Sequence, residues 1–467
     1  MPIHKNPTIW LLVLAALSFL PTLFFYLVGE EGIYAITAME MRHLGIWRQE
    51  IMYGVDDGRP PLLNWFTIPL ANLFGWSHLV SVLRLVSIAA TLGSIGWLYW
   101  LSSRLFQDKS FALFASLTSL ALVDLLMYRG WLSYTDPVFA FFTFGAMASL
   151  WTGVVEKHRG WLLLSVLLVG CAMLTKAFTA YIFYGTAALV LYLVRRDDRR
   201  FLLSPSVLMI FALALIVPWA WFSSIPRSEN SAFMLNEILR KLSVHDLFGY
   251  LGHLIEFPLE MFVRLSPALL LAVYLLLRKR VTIAETAPLH LHTSVLIAAL
   301  CFLPYWLSPQ NSVRYILPIY PVIAMVCARI IWRAGEPARK LALYWFAGVI
   351  VCKYVFALLL FPYYQIHYRG ENYEKTAQVV IERTRGFPLY IKDSRSIGLS
   401  ITAYIDLKRF PQAPIIYPPK EFDSGFILSM EADPALGEVV DIYQLAADRI
   451  YLLCRGSACA AQRLPVS

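Results

Sequence analysis

Long apolar runs, broken by short polar or basic segments, dominate the first three quarters of the chain. Runs near residues 9–28, 79–101, 110–127, 137–155, 161–175, 177–194, 204–223, 259–277, 291–307, 315–332 and 342–362 approach the roughly 20 residues a helix needs to cross the hydrocarbon core. The pattern therefore predicts about eleven transmembrane helices, with aromatic residues gathered at their ends as in interfacial belts. Two stretches differ. After the first run, Ile33, Ile36, Leu44, Trp47 and Ile51 recur near helical spacing with Arg42, Arg48 and Glu50 on other faces, which predicts an amphipathic juxtamembrane helix lying in the interface plane. From residue 363 onward Pro, Tyr and charge replace the apolar runs. Here the pattern predicts helices over 372–385 and 396–404 and strands over 388–391, 414–417, 425–429 and 449–454, a small α/β domain.

Composition agrees with this division. Hydrophobic residues make up 58% of the chain and charged residues 15%, and the mean hydropathy is +0.60, far from a soluble globular average. The fold class expected is an α-helical polytopic membrane protein with juxtamembrane amphipathic helices and a small C-terminal extracytoplasmic α/β domain. The division falls between a membrane domain at 1–362 and a soluble domain at 363–467. The net charge of +9 raises nucleic acid as a partner, but the cations fall in short clusters between spans. With His4 and Lys5 inside, alternate loops hold Arg104 with Lys109, Lys157 with Arg159, Arg195 to Arg200, Arg278 to Arg280 and Arg333 to Lys340. That is the positive-inside pattern, and it argues against a nucleic-acid partner. The N-terminus is then cytoplasmic and the C-terminus extracytoplasmic. The first span lacks a small-x-small cleavage site and reads as a retained signal anchor. A bacterial inner membrane is the simplest setting, with an endomembrane as the other.

This topology puts Gly29 to about His78, Ile225 to about Pro258, and Tyr363 to Ser467 outside. Charges that the positive-inside pattern does not explain gather at the outer ends of spans: Glu30, Glu31, Asp56, Asp57, Arg59, Arg84, Asp124, Asp136, Lys176, Glu237, Arg240 and Arg314. Charge at that depth is costly unless it is paired or used. Acids beside cations suit a reaction in which a hydroxyl loses a proton while a phosphate leaves; structural pairing and snorkelling are the alternative for each residue. Lys353, near the middle of the last span, has no role in this scheme. Cys454 and Cys459 lie five residues apart on the oxidising side, within reach of a disulfide, whereas Cys171, Cys301, Cys327 and Cys352 fall in or beside spans. Glu237, His245, His253 and Glu256 crowd the second outer segment, and Glu237, His253 and Glu256 are weak candidates for a divalent metal ion at spacings that match no strong motif. No Gly-rich nucleotide cradle is present, in keeping with a lipid-linked donor.

The segments Glu30-Glu31-Gly32-Ile33-Tyr34-Ala35 and Arg59-Pro60-Pro61-Leu62 resemble the Asp-Glu-x-x-Tyr-Ala and Lys-Pro-Pro-Leu segments of the C-type membrane glycosyltransferases that use polyprenyl-phosphate sugars. The branch resembled contains the aminoarabinose transferase and the protein O-mannosyltransferases. Arg84-Leu85, Thr135-Asp136-Pro137, Leu174-Thr175-Lys176, Pro218-Trp219, Asn236-Glu237 and Arg314-Tyr315-Ile316-Leu317-Pro318 resemble further landmarks in the same order. The resemblance implies a catalytic base at Glu30, or at Glu31 if the register slips, with Asp136 as a second acid. It implies donor-phosphate cations at Arg59, Lys176 and Arg314, and supporting roles for Tyr34, Arg84, Glu237 and Arg240. Glu stands where the family usually has Asp, and Arg replaces Lys before the double proline. Arg stays cationic and grips phosphate bidentately.

The reaction implied is a single inverting displacement at the anomeric carbon of a polyprenyl-phosphate sugar. The acceptor is an envelope lipid such as lipid A, a glycan or a protein hydroxyl, and no cofactor beyond a possible divalent ion is expected. Two other classes share the gross topology. A lipid or solute transporter calls for midplane polar sites and broken helices in internal repeats, and a polysaccharide polymerase or ligase calls for basic residues in a large outer loop.

Overall fold

The computed structural model describes residues 6–56, 58–224, 246–278, 288–309, 312–368, 370–392, 396–445 and 448–462. Among them, eight helices are long and apolar enough to cross a membrane: Pro7–Phe24, Trp76–Phe106, Thr135–Val155, Arg159–Lys176, Pro205–Ser224, Leu289–Leu307, Val313–Arg333 and one within Glu336–Arg383. The remaining three expected spans take shorter or broken forms. Residues 110–127 fold as a helix, Lys109–Leu120, followed by a π-helical turn at Asp124–Arg129. Residues 177–194 form the 16-residue helix Thr179–Val194. Residues 259–277 belong to the pair Leu247–Arg264 and Ala268–Leu277, bent by 103°, where Pro267 cannot continue the helical hydrogen bonding and the Ser266 carbonyl accepts from Val123 N–H at 2.9 Å. The chain is a multi-pass α-helical membrane protein.

Two compact units divide it. One comprises Met1–Leu20 with Ser87–Val355, the other Pro21–Val86 with Phe356–Ser467. In the first, Thr135–Val155 and Arg159–Lys176 pack as an antiparallel hairpin. Asp124, buried on the π-helical turn, pairs with Arg264, accepts a 2.7 Å hydrogen bond from Tyr320 and lies 4.0 Å from Arg129. That pairing accounts for a charge at a span end without calling on chemistry.

In the second unit the residues of the tail cluster with the segment that follows the first span. The amphipathic pattern there becomes the helix Glu31–Leu44, but it does not lie on a surface: every residue from Glu31 to Met41 is buried. It also ends sooner than the apolar spacing predicts. Gly45 takes a left-handed conformation, φ +67°, a C-terminal stop open to glycine at no steric penalty. Trp47 and Arg48 therefore lie beyond the helix, and Ile51 starts strand β1 (Ile51–Met52), which pairs antiparallel with β2 (Val55–Asp56). Pro60 and Pro61 then lead into the helix Leu62–Phe74.

The tail is α/β. Helices Gly370–Arg383 and Ser396–Arg409 pack together, and strands β3 (Leu389–Ile391), β4 (Gly425–Ser429), β5 (Glu438–Leu445) and β6 (Asp448–Arg455) form a sheet in the order β3-β4-β6-β5. β3 is parallel to β4 and the other pairs are antiparallel. The expected strand at 414–417 is reduced to an isolated bridge, Tyr390 with Ile416, because Pro414 and Pro418 remove ladder donors at its ends. β5 was not predicted: it is a mostly exposed strand at the sheet edge and lacks the apolar alternation that marks a half-buried one. The expected Cys454–Cys459 disulfide is present.

Asp406, on the Ser396–Arg409 helix, is buried; one carboxylate oxygen accepts from Ile415 N–H at 2.9 Å. Burial, reinforced by the nearby Glu40 carboxylate, pushes its pKa well above the usual carboxylate range. The folded state thus keeps a proton that the unfolded chain releases near pH 4, so stability falls as the pH rises from there toward the folded pKa. Asp406→Asn is expected to raise the melting temperature at pH 8 and to leave it near wild type at pH 4, measured by thermal unfolding in detergent. A variant no more stable than wild type at pH 8 contradicts the assignment.

Candidate functional site

The candidate residues fall into one cluster in each unit. In the second unit, Gly29 turns the chain with φ +58°, Glu30 occupies the N-cap of the acid helix and is half-buried, and Glu31 begins the helix fully buried. Arg84, on the helix Leu79–Phe106, is also fully buried. Its Nε donates to Glu31 Oε1 at 2.9 Å and its Nη2 to Oε2 at 2.5 Å. Nη1 donates to the carbonyls of Thr22 and Phe25 at 2.9 and 2.5 Å, and Nη2 also donates to that of Tyr26 at 2.8 Å. All five guanidinium N–H groups are thereby used. Glu31 Oε2 accepts a further hydrogen bond from Val28 N–H at 2.8 Å.

Two more carboxylates in this segment are buried. Glu40 accepts from Tyr53 and Gly54 N–H at 2.5 and 2.8 Å and pins the β1–β2 hairpin to the acid helix. Glu50 accepts from Asn64 Nδ2 at 3.3 Å, and its N–H donates to the Arg59 carbonyl at 3.1 Å. The side chain of Arg59 is half-buried, and Tyr34 is buried within the acid helix. Of Glu30, Glu31, Glu40 and Glu50, only Glu30 retains appreciable exposure.

In the first unit, Asp136 lies in the first turn of Thr135–Val155 and Lys176 in the last turn of Arg159–Lys176. Antiparallel packing brings those ends together, and the two side chains form an ion pair. An acid at a helix N-terminus and a cation at a C-terminus each complement the helix dipole. Lys176 Nζ also lies 4.2 Å from the ring centroid of Tyr315, and the Arg314 guanidinium lies 5.3 Å from the same ring. Tyr315 thus gathers the two cations within cation–π range. Sequence reasoning took Arg314 from this motif and passed over the adjacent tyrosine; the signal was its place in the Arg-Tyr-Ile-Leu-Pro segment.

Glu237, Arg240, His245 and Asp57 lie outside the described residues. His253 and Glu256 sit one turn apart on Leu247–Arg264, His253 half-buried against the Phe257 ring at 5.2 Å and Glu256 exposed. Among the described residues, the one group of His, Cys, Asp and Glu atoms close enough to share an ion is Glu438, Cys454 and Cys459. Its cysteines are joined in the disulfide, which removes both thiolate ligands. Lys353 is fully buried among aromatic rings, 5.0 Å from Trp131 and 5.7 Å from Phe19.

Comparison with known proteins places these clusters in a family context. The backbone matches crystal structures of ArnT from Cupriavidus metallidurans, one in the apo state (TM-score 0.70, 18% identity) and one bound to undecaprenyl phosphate (TM-score 0.72, 17% identity). Each match covers 98% of this chain and 99% of the other. The chain has the fold of these ArnT structures. Within that fold, residues 58–222 match the dolichyl-phosphate-mannose-protein mannosyltransferase family. Two curated relatives, undecaprenyl phosphate-alpha-4-amino-4-deoxy-L-arabinose arabinosyl transferases, are 28% identical over 43% of this chain (Erwinia tasmaniensis) and 24% identical over 41% (Yersinia enterocolitica). The matched region spans about a third of the length of these relatives, 36% and 35%.

The Glu31–Arg84 pair carries a stability prediction. Arg84→Met leaves a buried carboxylate and three carbonyls without their donor, and is expected to cost about 3–5 kcal/mol, read as a large drop in melting temperature in detergent. Arg84→Lys keeps the charge but not the planar five-donor fork, and is expected to restore only part of the loss. Full stability in Arg84→Lys would show that charge alone holds the segment.

Proposed function

We propose that this protein is an inverting glycosyltransferase of the inner membrane that moves a sugar from a polyprenyl-phosphate donor to an envelope acceptor on the extracytoplasmic side. The acceptor classes are lipid A, another envelope glycan or a protein hydroxyl. The observation that carries the reading is the near-complete backbone match to ArnT bound to undecaprenyl phosphate. The relatives named as undecaprenyl phosphate-aminoarabinose transferases support it. The cytoplasmic N-terminus and extracytoplasmic tail rest on the charge bias of the loops.

The acceptor oxygen attacks the anomeric carbon as the bond from that carbon to the lipid phosphate breaks. Glu30 takes the acceptor proton. Arg59, Lys176 and Arg314 stabilise the charge that develops on the departing phosphate. Glu30 is favoured over Glu31 as base because it is only half-buried whereas Glu31 is fully buried; Glu31 acts as the counter-charge of Arg84. Asp136 keeps Lys176 at its post. This scheme needs no metal step, and a divalent ion near Glu237, His253 and Glu256 is the second arrangement to test.

Transfer of radiolabelled sugar from undecaprenyl-phosphate donors to a membrane extract tests the scheme. At equal expression, Glu30→Gln is expected to lose roughly 100- to 10,000-fold in transfer rate. Wild-type transfer by Glu30→Gln rules out the base assignment. In the same assay, EDTA is expected to leave transfer essentially unchanged; loss on chelation, restored by a divalent ion and abolished in His253→Ala, establishes the metal arrangement instead.

A further inference from the structure

Glu30 ends the irregular segment Phe25–Glu30, so the position of its carboxylate depends on how that segment is held. The segment has no helix or strand of its own, yet several of its backbone groups are held by side chains. Arg84 takes the carbonyls of Phe25 and Tyr26. Tyr26 N–H donates to Gln365 Oε1 at 3.1 Å, and Gln365 Nε2 donates to the Tyr26 carbonyl at 3.0 Å. Leu27 N–H donates to the Tyr404 hydroxyl at 2.8 Å, and Val28 N–H donates to Glu31. Gln365 and Tyr404 are both buried. They come from the helices Phe361–Tyr368 and Ser396–Arg409, more than 330 positions along the chain from the groups they bind. A turn later, Gly32 lies so close to the tail helix that an added Cβ would sit 2.7 Å from the Leu399 carbonyl oxygen.

We propose that Gln365 and Tyr404 are positioning residues of the transfer reaction: by tying Tyr26 and Leu27 to the tail, they fix the entry into the acid helix and the place from which Glu30 acts. The tail is then part of the machinery that presents the base, in addition to any part it has in covering the acceptor. The proposal rests on Glu30 as base. A carboxylate gains most of its effect as a base from orientation, and a backbone segment with no regular structure has to be oriented by side chains.

The test uses the full-length protein in detergent, with two readouts. Hydrogen exchange followed by mass spectrometry reports on the peptide spanning Tyr26 to Tyr34 without any need for activity. Tyr404→Phe and Gln365→Leu are each expected to speed exchange there roughly tenfold, the scale of one lost hydrogen bond, with the rest of the chain unchanged. Transfer from undecaprenyl-phosphate-linked aminoarabinose, per folded protein, is expected to fall roughly 10- to 100-fold in kcat, with the donor KM within about twofold of wild type. Lys408→Gln, on the helix of Tyr404, breaks an ion pair with Glu374 of the neighbouring helix Gly370–Arg383 and is expected to change neither readout. Unchanged exchange in both variants, or wild-type kcat despite faster exchange, overturns the proposal, as does a change confined to KM. If the wild-type protein transfers nothing from this donor, the glycosyltransferase reading fails on its own, and faster local exchange still supports the hold of Gln365 and Tyr404 on the segment.

Discussion

Arg84 is asked to neutralise a buried carboxylate and to satisfy the backbone of a segment with no secondary structure, and its guanidinium does both at once. A buried ion pair offsets its desolvation only when the remaining donors and lone pairs are satisfied. Here Thr22, Phe25, Tyr26 and both oxygens of Glu31 take all five N–H groups. The geometry joins the end of the first span, the entry to the acid helix and the start of the helix Leu79–Phe106. Once these are joined, the direction in which the acid helix leaves the segment is set, and Glu30 stands at its first point.

The rest of the segment between the first two spans is organised by the same logic of buried acids held by fixed donors. Glu40 takes two backbone N–H groups of the β1–β2 hairpin, and Asn64 reaches Thr37, Met41 and Glu50 from the next helix. Tyr417 N–H donates to the Tyr53 carbonyl at 3.2 Å, so the tail meets the hairpin as well as the segment before Glu30. A helix buried all round is ordinarily apolar; Glu31–Leu44 departs from that rule because each of its buried acids has fixed partners. Its polar face therefore meets protein groups instead of water, since such a face can mark side chains that pair with buried partners.

The apolar runs made the membrane architecture legible, because length and hydropathy are local properties. They do not show the breaks within residues 110–127 and 259–277, where a π-helical turn and a sharp bend interrupt adequate apolar stretches. The acid helix was visible in its spacing, but its end was not, because the spacing continued through Gly45 in side chains that belong to a loop and a strand. Glu30 and Glu31 stood out as neighbours in the sequence. Their difference did not, since it depends on Arg84, which is 53 positions away from Glu31. Gln365 and Tyr404 carry no local signal at all: an isolated Gln or Tyr in an apolar or amphipathic helix looks the same whether or not its polar group meets a distant backbone. Lys176 and Arg314 were readable as cations at span ends, whereas their convergence on Tyr315 required the fold.

A carboxylate is a weak base toward a hydroxyl, so little of the acceleration in the proposed reaction can come from proton affinity. What remains is stabilisation of the leaving phosphate and orientation of the attacking oxygen. Both require groups that do not move when the donor arrives. In the first unit that condition is met by Lys176, tied to Asp136 between two helix ends and set against Tyr315. In the second it is met by the hydrogen bonds around Tyr26 to Glu31. Glu in place of Asp at the proposed base position adds a rotatable bond to the group whose direction matters most in that reaction. A longer side chain reaches a defined point only from a well-fixed backbone, and the density of contacts on the segment before Glu30 supplies that fixity.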